Sequence, residues 1–298
     1  SLHSVSRYVI IECDMARYEP QYEAPDLARI REPDTSKIQV TWVGHSTFLV
    51  QAGGVNILTD PIWSLRASPV SWAGPKRFAR PGIAINDLPK IDIVLISHTH
   101  YDHLDRPTIR TLGSEHHYVI PTGMHEWFAQ LGIKDTTEIQ WWHRQRIGAA
   151  QVTAVPAKHW SKRNFFGTGG AGWGGYVIET SAGIIYFAGD TGYDQSYFKE
   201  IGRTFPHIDL ALIPIGAYHP RAIFGRFHID PREAVIIHKE IGAKRSIGMH
   251  WGTFKLTQEP LAEPPILLAH EADAAGLGSD VFTSMKIGET RTLGSHGQ

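Results

Sequence analysis

Cysteine is almost absent from the sequence, with Cys13 as its one example in 298 residues. A disulfide within the chain needs two cysteines, and a thiolate-rich metal site needs more than one. Both are therefore excluded. A single cysteine fits a reducing compartment, so we expect a cytoplasmic or peripherally membrane-associated protein. The first residue is not methionine and no signal-peptide pattern is visible, which leads us to expect a trimmed chain.

Long apolar runs and a charge of one sign are also missing. The apolar runs Ile91 to Ile96 and Leu210 to Ile213 are as long as strands. A membrane-spanning helix needs roughly 20 such residues. The 29 basic and 30 acidic residues leave a net charge of −1, so no overall positive field attracts nucleic acid. We therefore expect no nucleic-acid partner.

The arrangement of patterns along the chain predicts one large domain. Residues 1–36 are polar, contain prolines and lack a period, which predicts an irregular N-terminal arm. Residues 37–298 contain no linker and no break in composition, which predicts a single domain. Each half of this domain shows strands first and strand–helix alternation afterwards. This order favours an α/β (α+β) fold class, a four-layer αββα sandwich of two sheets with helices outside.

Individual elements follow from local patterns. Three short β-rich runs separated by glycine turns predict a meander between Ile38 and Asp60. Helices are expected from Arg106, near Met124–Leu131, near Tyr193–Arg203, and from Pro231 to about Ile241 with Asp230 as the N-cap. Further strands are expected at the apolar runs that end near Ser97, Pro121, Ala157, Thr180, Asp190, Pro214 and His250.

The sequence SHTHYDHLD, Ser97 to Asp105, combines three histidines and two aspartates directly after an apolar run. His98 and His100 are two positions apart and can share a cation, while Asp102 and His103 point to a neighbouring position. Imidazole and carboxylate ligands without thiolate suit Zn²⁺, Mn²⁺ or Fe²⁺. These four residues cannot complete two coordination shells. More ligands are therefore expected elsewhere.

Three other apolar runs end in a residue of the required type, namely His159, Asp190 and His250. With the first four residues they predict a centre for two divalent metal ions per chain. Zinc is expected, with manganese and iron as alternatives. The competing interpretation, a set of structural histidines, requires seven coincidences of residue type and position.

Several longer motifs surround these residues: TWVGHST, LTDPIW, RASPVSWAGPKRF, LPKIDIVLISHTHYDHLD, HWSKR, FAGDTGY, IPIGAY, HIDP and MHWGTF. Together they resemble the metallo-β-lactamase superfamily and, within it, the branch of phospholipases D that hydrolyse N-acyl-phosphatidylethanolamine. The resemblance runs from about Tyr18 to Leu277. It implies that His98, His100 and His159 hold one ion, that Asp102, His103 and His250 hold the other, and that Asp190 bridges them.

The resemblance also implies a reaction. A water between two metal ions would attack a phosphodiester, and an N-acylphosphatidylethanolamine would give phosphatidic acid and an N-acylethanolamine. Asp102 or Asp190 would orient the nucleophile, so both are candidate catalytic residues. His228 matches a family position and is the third candidate, in contact with phosphate or water; helix packing is its alternative role. The expected partner is a phospholipid or a small phosphodiester or ester, and a homodimer stays open.

Two polar residues are candidates for orienting the ligands. Asp60 ends a predicted strand and would fix the tautomer of a metal-binding histidine, or else form a turn before Pro61. His45, in the turn of VGHST, is expected to be a hydrogen-bonding histidine near the floor of the site.

Candidate substrate residues lie in the loops. Tyr193 and Tyr218 are interpreted as phosphate-facing hydroxyls, with core packing as the alternative, and His219 as a head-group contact. Trp63 and Phe78 lie in an aromatic, basic loop that forms a cleft wall, a membrane contact or a packed surface. Glycines at 167, 169 and 172 spell GxGxxG, but they open no helix after a strand, so a dinucleotide site is rejected.

Other functions compete with phospholipid hydrolysis. The same site could act as a lactonase or small-ester hydrolase, because a metal-activated hydroxide also attacks carbonyl carbon. A nuclease is disfavoured by the neutral charge. A redox di-iron protein would place glutamate where His100 stands, and a non-catalytic scaffold would have lost ligands.

Overall fold

The strands of the described chain form two mixed sheets of seven strands each. A computed structural model describes residues 18–161, 163 and 171–293. The first sheet has the order β14–β1–β2–β3–β4–β5–β6. Its strands are β1 (Ile38–Gly44), β2 (Thr47–Ala52), β3 (Val55–Thr59), β4 (Ile93–Leu95), β5 (His117–Ile120), β6 (Thr136–Glu138) and β14 (Thr290–Leu293).

The second sheet repeats the same plan in the order β13–β12–β11–β10–β9–β8–β7. Its strands are β7 (Arg144–Ile147), β8 (Ala150–Val155), β9 (Gly175–Thr180), β10 (Gly183–Phe187), β11 (Leu210–Pro214), β12 (Arg245–Met249) and β13 (Phe282–Thr283). In each sheet an antiparallel meander leads into parallel strands, so β3, β4 and β5 are parallel, as are β10, β11 and β12.

Helices cover the outer faces. They are α1 (Leu27–Arg31), α2 (Arg106–Leu112), α3 (His125–Ala129), α4 (Gln195–Thr204), α5 (Arg221–Phe224), α6 (Pro231–Glu240) and α7 (Glu263–Ala274), with a 3₁₀ turn at Ile85–Asp87. Asp230 caps α6 as expected: it accepts the Glu233 N–H, and the Glu233 carboxylate accepts the Asp230 N–H in return. None of the helices in the described residues is both long and apolar enough to cross a membrane.

Two apolar cores hold the layers together. Alternate residues of one strand enter different cores, as Ile57 lies between the sheets while Leu58 faces the helix side of the first sheet. The core between the sheets continues to α4, α6 and α7, whereas the second core packs β2 to β5 against α2 and α3. The four-layer αββα sandwich is therefore confirmed.

The differences from the sequence-based expectations lie in short or marginal elements. The apolar run Ile91–Ser97 contains only three strand residues. Helix α1 forms one turn inside the stretch expected to be irregular, because Asp26 caps it and Ile30 is fully buried. Helices α5 and α7 and the strands β6, β7, β13 and β14 are not predicted by the sequence patterns. Helix α7 begins at Glu263 and has prolines at its second and third positions, and β7 is a polar edge strand.

One hydrogen bond between the sheets fixes the segment that leads into the SHTHYDHLD motif. The buried hydroxyl of Tyr176, on β9, donates to the carbonyl of Ile96, which follows β4, over 2.9 Å. Burial raises the pKa of Tyr176 far above its ordinary value, so the hydroxyl keeps its proton and remains a donor.

We expect Tyr176→Phe to lower the free energy of unfolding by about 1 kcal/mol, because a buried carbonyl loses its donor. Urea denaturation measures this change. The matched control is Tyr193→Phe. The Tyr193 hydroxyl donates to Glu240 at a half-buried position, where water can replace it. An equal decrease in the free energy of unfolding in both variants would show that the hydrogen bond between the sheets contributes no more to stability than the half-buried one.

Candidate metal centre

The seven predicted ligands come from four strand ends, and the structure brings them into one cluster. Four of them lie between β4 and α2, and the other three follow β8, β10 and β12. The carboxyl ends of neighbouring parallel strands meet at one edge of each sheet, which is why residues far apart in sequence converge here. Six of the seven are buried, and His100 is half-buried.

Three histidines form the first triad: His98, His100 and His159. The distance from His98 Nε2 to His100 Nδ1 is 2.9 Å, and that from His159 Nε2 to His100 Nδ1 is 3.2 Å. Three ring nitrogens that face one another so closely cannot all be satisfied by hydrogen bonds among themselves. A single divalent cation would accept a lone pair from each of the three nitrogens, so these residues could hold one.

Asp102, His103 and His250 form the second triad. The Nε2 atoms of His103 and His250 lie 3.1 Å apart, and each lies 3.3 Å from Asp102 Oδ2. The carboxylate gives this triad a negative charge that the first triad lacks. It therefore offers a divalent cation both imidazole and carboxylate donors.

Asp190 lies between the two triads. Its Oδ2 atom is 3.2 Å from His103 Nε2 and 3.1 Å from His250 Nε2, and it is 3.8 Å from His98 Nε2 and 3.9 Å from His159 Nε2. Gly189 permits this position: its φ is +60°, and a Cβ there would lie 2.7 Å from the Ser97 Cβ. The other oxygen, Oδ1, is buried and has no hydrogen-bond partner among the described residues.

The donor set fits two divalent cations. It contains imidazole nitrogens and carboxylate oxygens without sulfur, which suits zinc, manganese or iron. Buried polar atoms without a partner in the described chain, such as Asp190 Oδ1 and His228 Nδ1, concentrate in this cluster. Because such atoms are costly when unsatisfied, their concentration favours an ion-binding role.

Asp60 orients one histidine of each triad. Its carboxylate accepts from His103 Nδ1 at 2.6 Å and from the Ser97 hydroxyl at 2.5 Å. That hydroxyl in turn accepts from His98 Nδ1 at 2.9 Å. We assign the ring protons to Nδ1 in both histidines, which leaves both Nε2 atoms free for a cation. His159 reaches the same state by donating its Nδ1–H to the carbonyl of Phe227.

The histidines of the two triads differ in protonation state because of the nearby carboxylates. Burial alone lowers the pKa of His103 and His250, but Asp190 and Asp102 outweigh it, so the pKa of His103 lies well above its ordinary value and that of His250 rises to about 9. Burial also opposes ionisation of Asp190, yet His103 and His250 hold the pKa of that carboxyl well below its usual range. In the first triad, burial lowers the pKa of His159 to about 3.

His45 and His228 also reach the cluster. His45 Nε2 is 2.9 Å from Asp102 Oδ2, and burial beside His250 lowers the pKa of His45 to about 3. His228 places Nδ1 3.8 Å from Asp190 Oδ2, and that nitrogen has no hydrogen-bond partner in the described chain.

The candidate substrate residues are mostly engaged elsewhere. Tyr193 donates its hydroxyl to Glu240, and Tyr218 donates to Glu263, so neither hydroxyl is available to a phosphate in this arrangement. His219 is exposed, and its backbone N–H donates to the carboxylate of Glu259. Trp63 is half-buried and its indole N–H donates to the carbonyl of Ile83, whereas Phe78 is 56 % exposed.

Two residues at this site were missed by the sequence reasoning. Trp160 is 43 % exposed, with its ring centroid 4.4 Å from that of His100 and 6.3 Å from that of Phe227. Arg163 donates to the carbonyls of Thr99 and Leu104, at either end of the ligand loop. Trp160 directly follows His159 in the sequence, and that proximity was the available signal.

The glycine-rich segment that spells GxGxxG is described only in part. Gly167 and Gly169 lie outside the described residues. Gly172 is described, and its N–H donates to the carbonyl of Thr122 at 2.8 Å. No helix begins at Gly172 in the described chain.

Comparison with known proteins identifies the family. The family model described as "Beta-lactamase superfamily domain" matches residues 55–251. Two solved structures of low identity share the fold. Igni18, a metallo hydrolase from Ignicoccus hospitalis, is 23 % identical with a TM-score of 0.64, covering 87 % of this chain and 100 % of that one. An isothiocyanate hydrolase from Delia radicum gut bacteria is 17 % identical with a TM-score of 0.66, covering 86 % and 99 %.

Three curated relatives are more similar in sequence. The N-acyl-phosphatidylethanolamine-hydrolyzing phospholipase D 1 of Caenorhabditis elegans is 37 % identical, over 85 % of this chain and 75 % of that protein. An uncharacterized protein of Mycobacterium tuberculosis is 37 % identical over 78 % and 63 %. The mitochondrial N-acyl-phosphatidylethanolamine-hydrolyzing phospholipase D of Saccharomyces cerevisiae is 33 % identical over 83 % and 55 %. The chain spans less than two thirds of the last two proteins.

The chain belongs to the metallo-β-lactamase superfamily, since the family model covers about two thirds of it. With its four overlapping groups of potential metal ligands, it is a metal-dependent hydrolase of that fold.

We expect metal binding to release roughly one to two protons per chain at pH 7. His103 and His250, whose pKa values are raised, hold protons that a cation must displace, so affinity should rise with pH up to about 9. After removal of bound metal with a chelator, calorimetric zinc titrations in buffers of different ionisation enthalpy count the protons. A heat of binding that is independent of the buffer would contradict the expectation.

Proposed function

We propose that the protein is a metal-dependent phosphodiesterase of phospholipase D type that acts on N-acylphosphatidylethanolamine-like lipids. The observation that carries this proposal is the identity of 33–37 % to two enzymes named for this reaction, over more than four fifths of the chain. The convergence of all seven candidate ligands supports it, because a chain that had lost catalysis would have no need to keep both triads. Zinc is the proposed metal, with manganese and iron as alternatives.

The chemistry follows from the two triads and Asp190. A pair of divalent cations, when bound, would polarise phosphoryl oxygens and lower the pKa of a water to near neutrality. His98, His100 and His159 would hold one ion and Asp102, His103 and His250 the other, with Asp190 shared. In this proposal Asp102 or Asp190 would accept a hydrogen bond from the attacking water and so fix its orientation.

His228 is assigned in this proposal to contact with the substrate. Burial lowers the pKa of His228 to about 4, so its ring is neutral and carries one N–H. Its Nδ1 atom faces the Asp190 side of the cluster without a partner in the described chain. A neutral imidazole in this position can donate a hydrogen bond to a phosphate oxygen whose charge grows during the reaction.

The exposed edge of the first triad suits an apolar substrate group. Trp160 stands beside His100 and is 43 % exposed, and the half-buried Phe227 stands beside Trp160 and His159. A lipid places apolar chains near its phosphodiester, and such a wall stabilises them by burial. This feature favours a lipid over a small hydrophilic ester.

A loop near the site is proposed to contact the lipid surface. Leu65, Trp72 and Phe78 are 73 %, 79 % and 56 % exposed, and Lys76 and Arg80 lie in the same loop. The loop is attached to the floor of the site, because the Phe78 N–H donates to the carbonyl of Thr253, whose hydroxyl accepts from the His45 N–H. Apolar side chains with basic neighbours are typical of interfacial contact.

The alternative is a lactonase or another small-ester hydrolase, because the same activated water attacks a carbonyl carbon. Turnover of N-acylphosphatidylethanolamine, with phosphatidic acid as a product, would support the lipid function. Turnover of a lactone panel with none of the lipid would establish the alternative instead.

We expect His228→Ala to lower kcat/KM for N-acylphosphatidylethanolamine roughly ten- to a hundredfold, because a donor to the transition state is lost. Zinc content should not change, since the metal ligands remain. Product release measured by mass spectrometry, together with elemental analysis, checks both points. His270→Ala, an exposed histidine of α7, is the control. A loss of zinc equal to the loss of activity would assign His228 to metal binding.

We expect the double variant Leu65→Ser, Trp72→Ser to lower co-sedimentation with phosphatidylglycerol-containing vesicles at least severalfold, since two exposed apolar side chains are removed. Hydrolysis of a monomeric short-chain substrate should be retained. Ile266→Ser, a change at an exposed apolar residue of α7, is the matched control. Unchanged sedimentation would exclude this loop as the lipid contact.

A further inference from the structure

The turn between β1 and β2 touches the second triad through both the side chain and the backbone of His45. We propose that His45 is a positioning residue that fixes the Asp102 carboxylate and the His250 backbone for the second cation, and thereby sets the affinity of that subsite alone. This inference rests on the proposed use of the two triads as a metal centre.

The backbone of His45 is held from both sides. Its N–H donates to the Thr253 hydroxyl at 2.9 Å, and its carbonyl accepts the indole N–H of Trp42 at 2.9 Å. The same carbonyl accepts the backbone N–H of His250 at 3.2 Å. The residue adopts a positive φ of 55°, so these bonds hold a conformation that is uncommon for histidine. The turn and the second triad are therefore joined directly.

The side chain of His45 acts on Asp102. Its Nε2 atom lies 2.9 Å from Asp102 Oδ2, the same oxygen that lies 3.3 Å from the Nε2 atoms of His103 and His250. We assign the proton of His45 to Nε2, because an ionised carboxylate only accepts hydrogen bonds and the His45 contact is the shortest of the three, at 2.9 Å against 3.3 Å. A nitrogen that donates this bond has no lone pair for a cation, so we assign His45 to orientation and not to ligation.

Packing fixes the orientation of the ring. His45 is 1 % exposed, its ring centroid lies 4.1 Å from that of His250, and Phe254 meets it edge-on at 5.3 Å. The ring therefore has little freedom to turn away from Asp102. His238 offers a contrast within the same chain: it is also buried, but its ring bonds Ser246 and contacts no candidate ligand.

The effect of His45 is confined to one subsite. Asp60 contacts His103 directly and His98 through Ser97, so it serves both triads. His45 makes its hydrogen bonds to Asp102 and His250, which belong to the second triad. Substitution of His45 should therefore weaken the binding of one ion only, whereas substitution of Asp60 should weaken the binding of both.

The test compares His45→Gln with His45→Asn. The amide nitrogen of glutamine reaches about as far as imidazole Nε2, whereas that of asparagine falls short of Asp102. Cobalt(II) titrations followed by visible absorption, and zinc counted by elemental analysis, report the ions without any substrate. We expect His45→Gln to bind two ions nearly as the native chain does. His45→Asn should weaken one ion roughly ten- to a hundredfold, as is typical for loss of such a partner, and leave the other unchanged.

Three results would overturn the proposal. Equal weakening in both variants would make the imidazole itself a ligand, and no weakening in either would leave only a packing role. Weakening of both ions together would show that the effect is not specific to the second triad. Circular dichroism checks folding, and His45→Ala replaces His45→Asn if that variant does not fold. His238→Gln is the matched control for a buried histidine. Because the titrations use no substrate, they test the role of His45 in metal binding even if the protein does not hydrolyse N-acylphosphatidylethanolamine.

Discussion

The cluster depends on one buried carboxylate. Asp60 is fully buried, and it accepts hydrogen bonds from the Ser97 backbone, the Ser97 hydroxyl and His103. These bonds offset part of the cost of removing its charge from water, and burial still raises the pKa of Asp60. They also fix the ring orientation of one histidine in each triad. The end of β3 therefore determines how the loop after β4 presents its nitrogens, and the neighbouring parallel strands supply the rigidity.

The clustering of the seven candidate ligands could be predicted from the sequence because two simple signals coincide. An apolar run precedes each of the four segments that carry them, and every candidate is an imidazole or a carboxylate. Strand β4, before His98, is shorter than expected. The candidate ligands that follow it nevertheless lie in the expected cluster, so the prediction did not depend on the length of the strand. The sandwich could likewise be predicted, because its strands are short apolar runs bounded by glycine, proline and polar residues.

The remaining features depend on partners that sequence patterns do not reveal. Tyr193 and Tyr218 follow ligand-like motifs, but their hydroxyls bond Glu240 on α6 and Glu263 on α7. The contact of His45 with Asp102 joins residues 57 positions apart. Helix α7 has an apolar composition without a clear face, and β7 is polar, so neither shows the period of its element. Such features arise from tertiary packing, which overrides local preference.

The exposure of the two triads is unequal, and this has a kinetic consequence. His100 is half-buried beside Trp160, whereas Asp102, His103 and His250 are buried. An ion leaving the first triad would pass the half-buried His100, while an ion leaving the second would have to displace buried side chains held by Asp60 and His45. The two ions should therefore exchange with solution on different timescales. The inner ion would persist through dilution, and the outer ion would follow the free metal concentration.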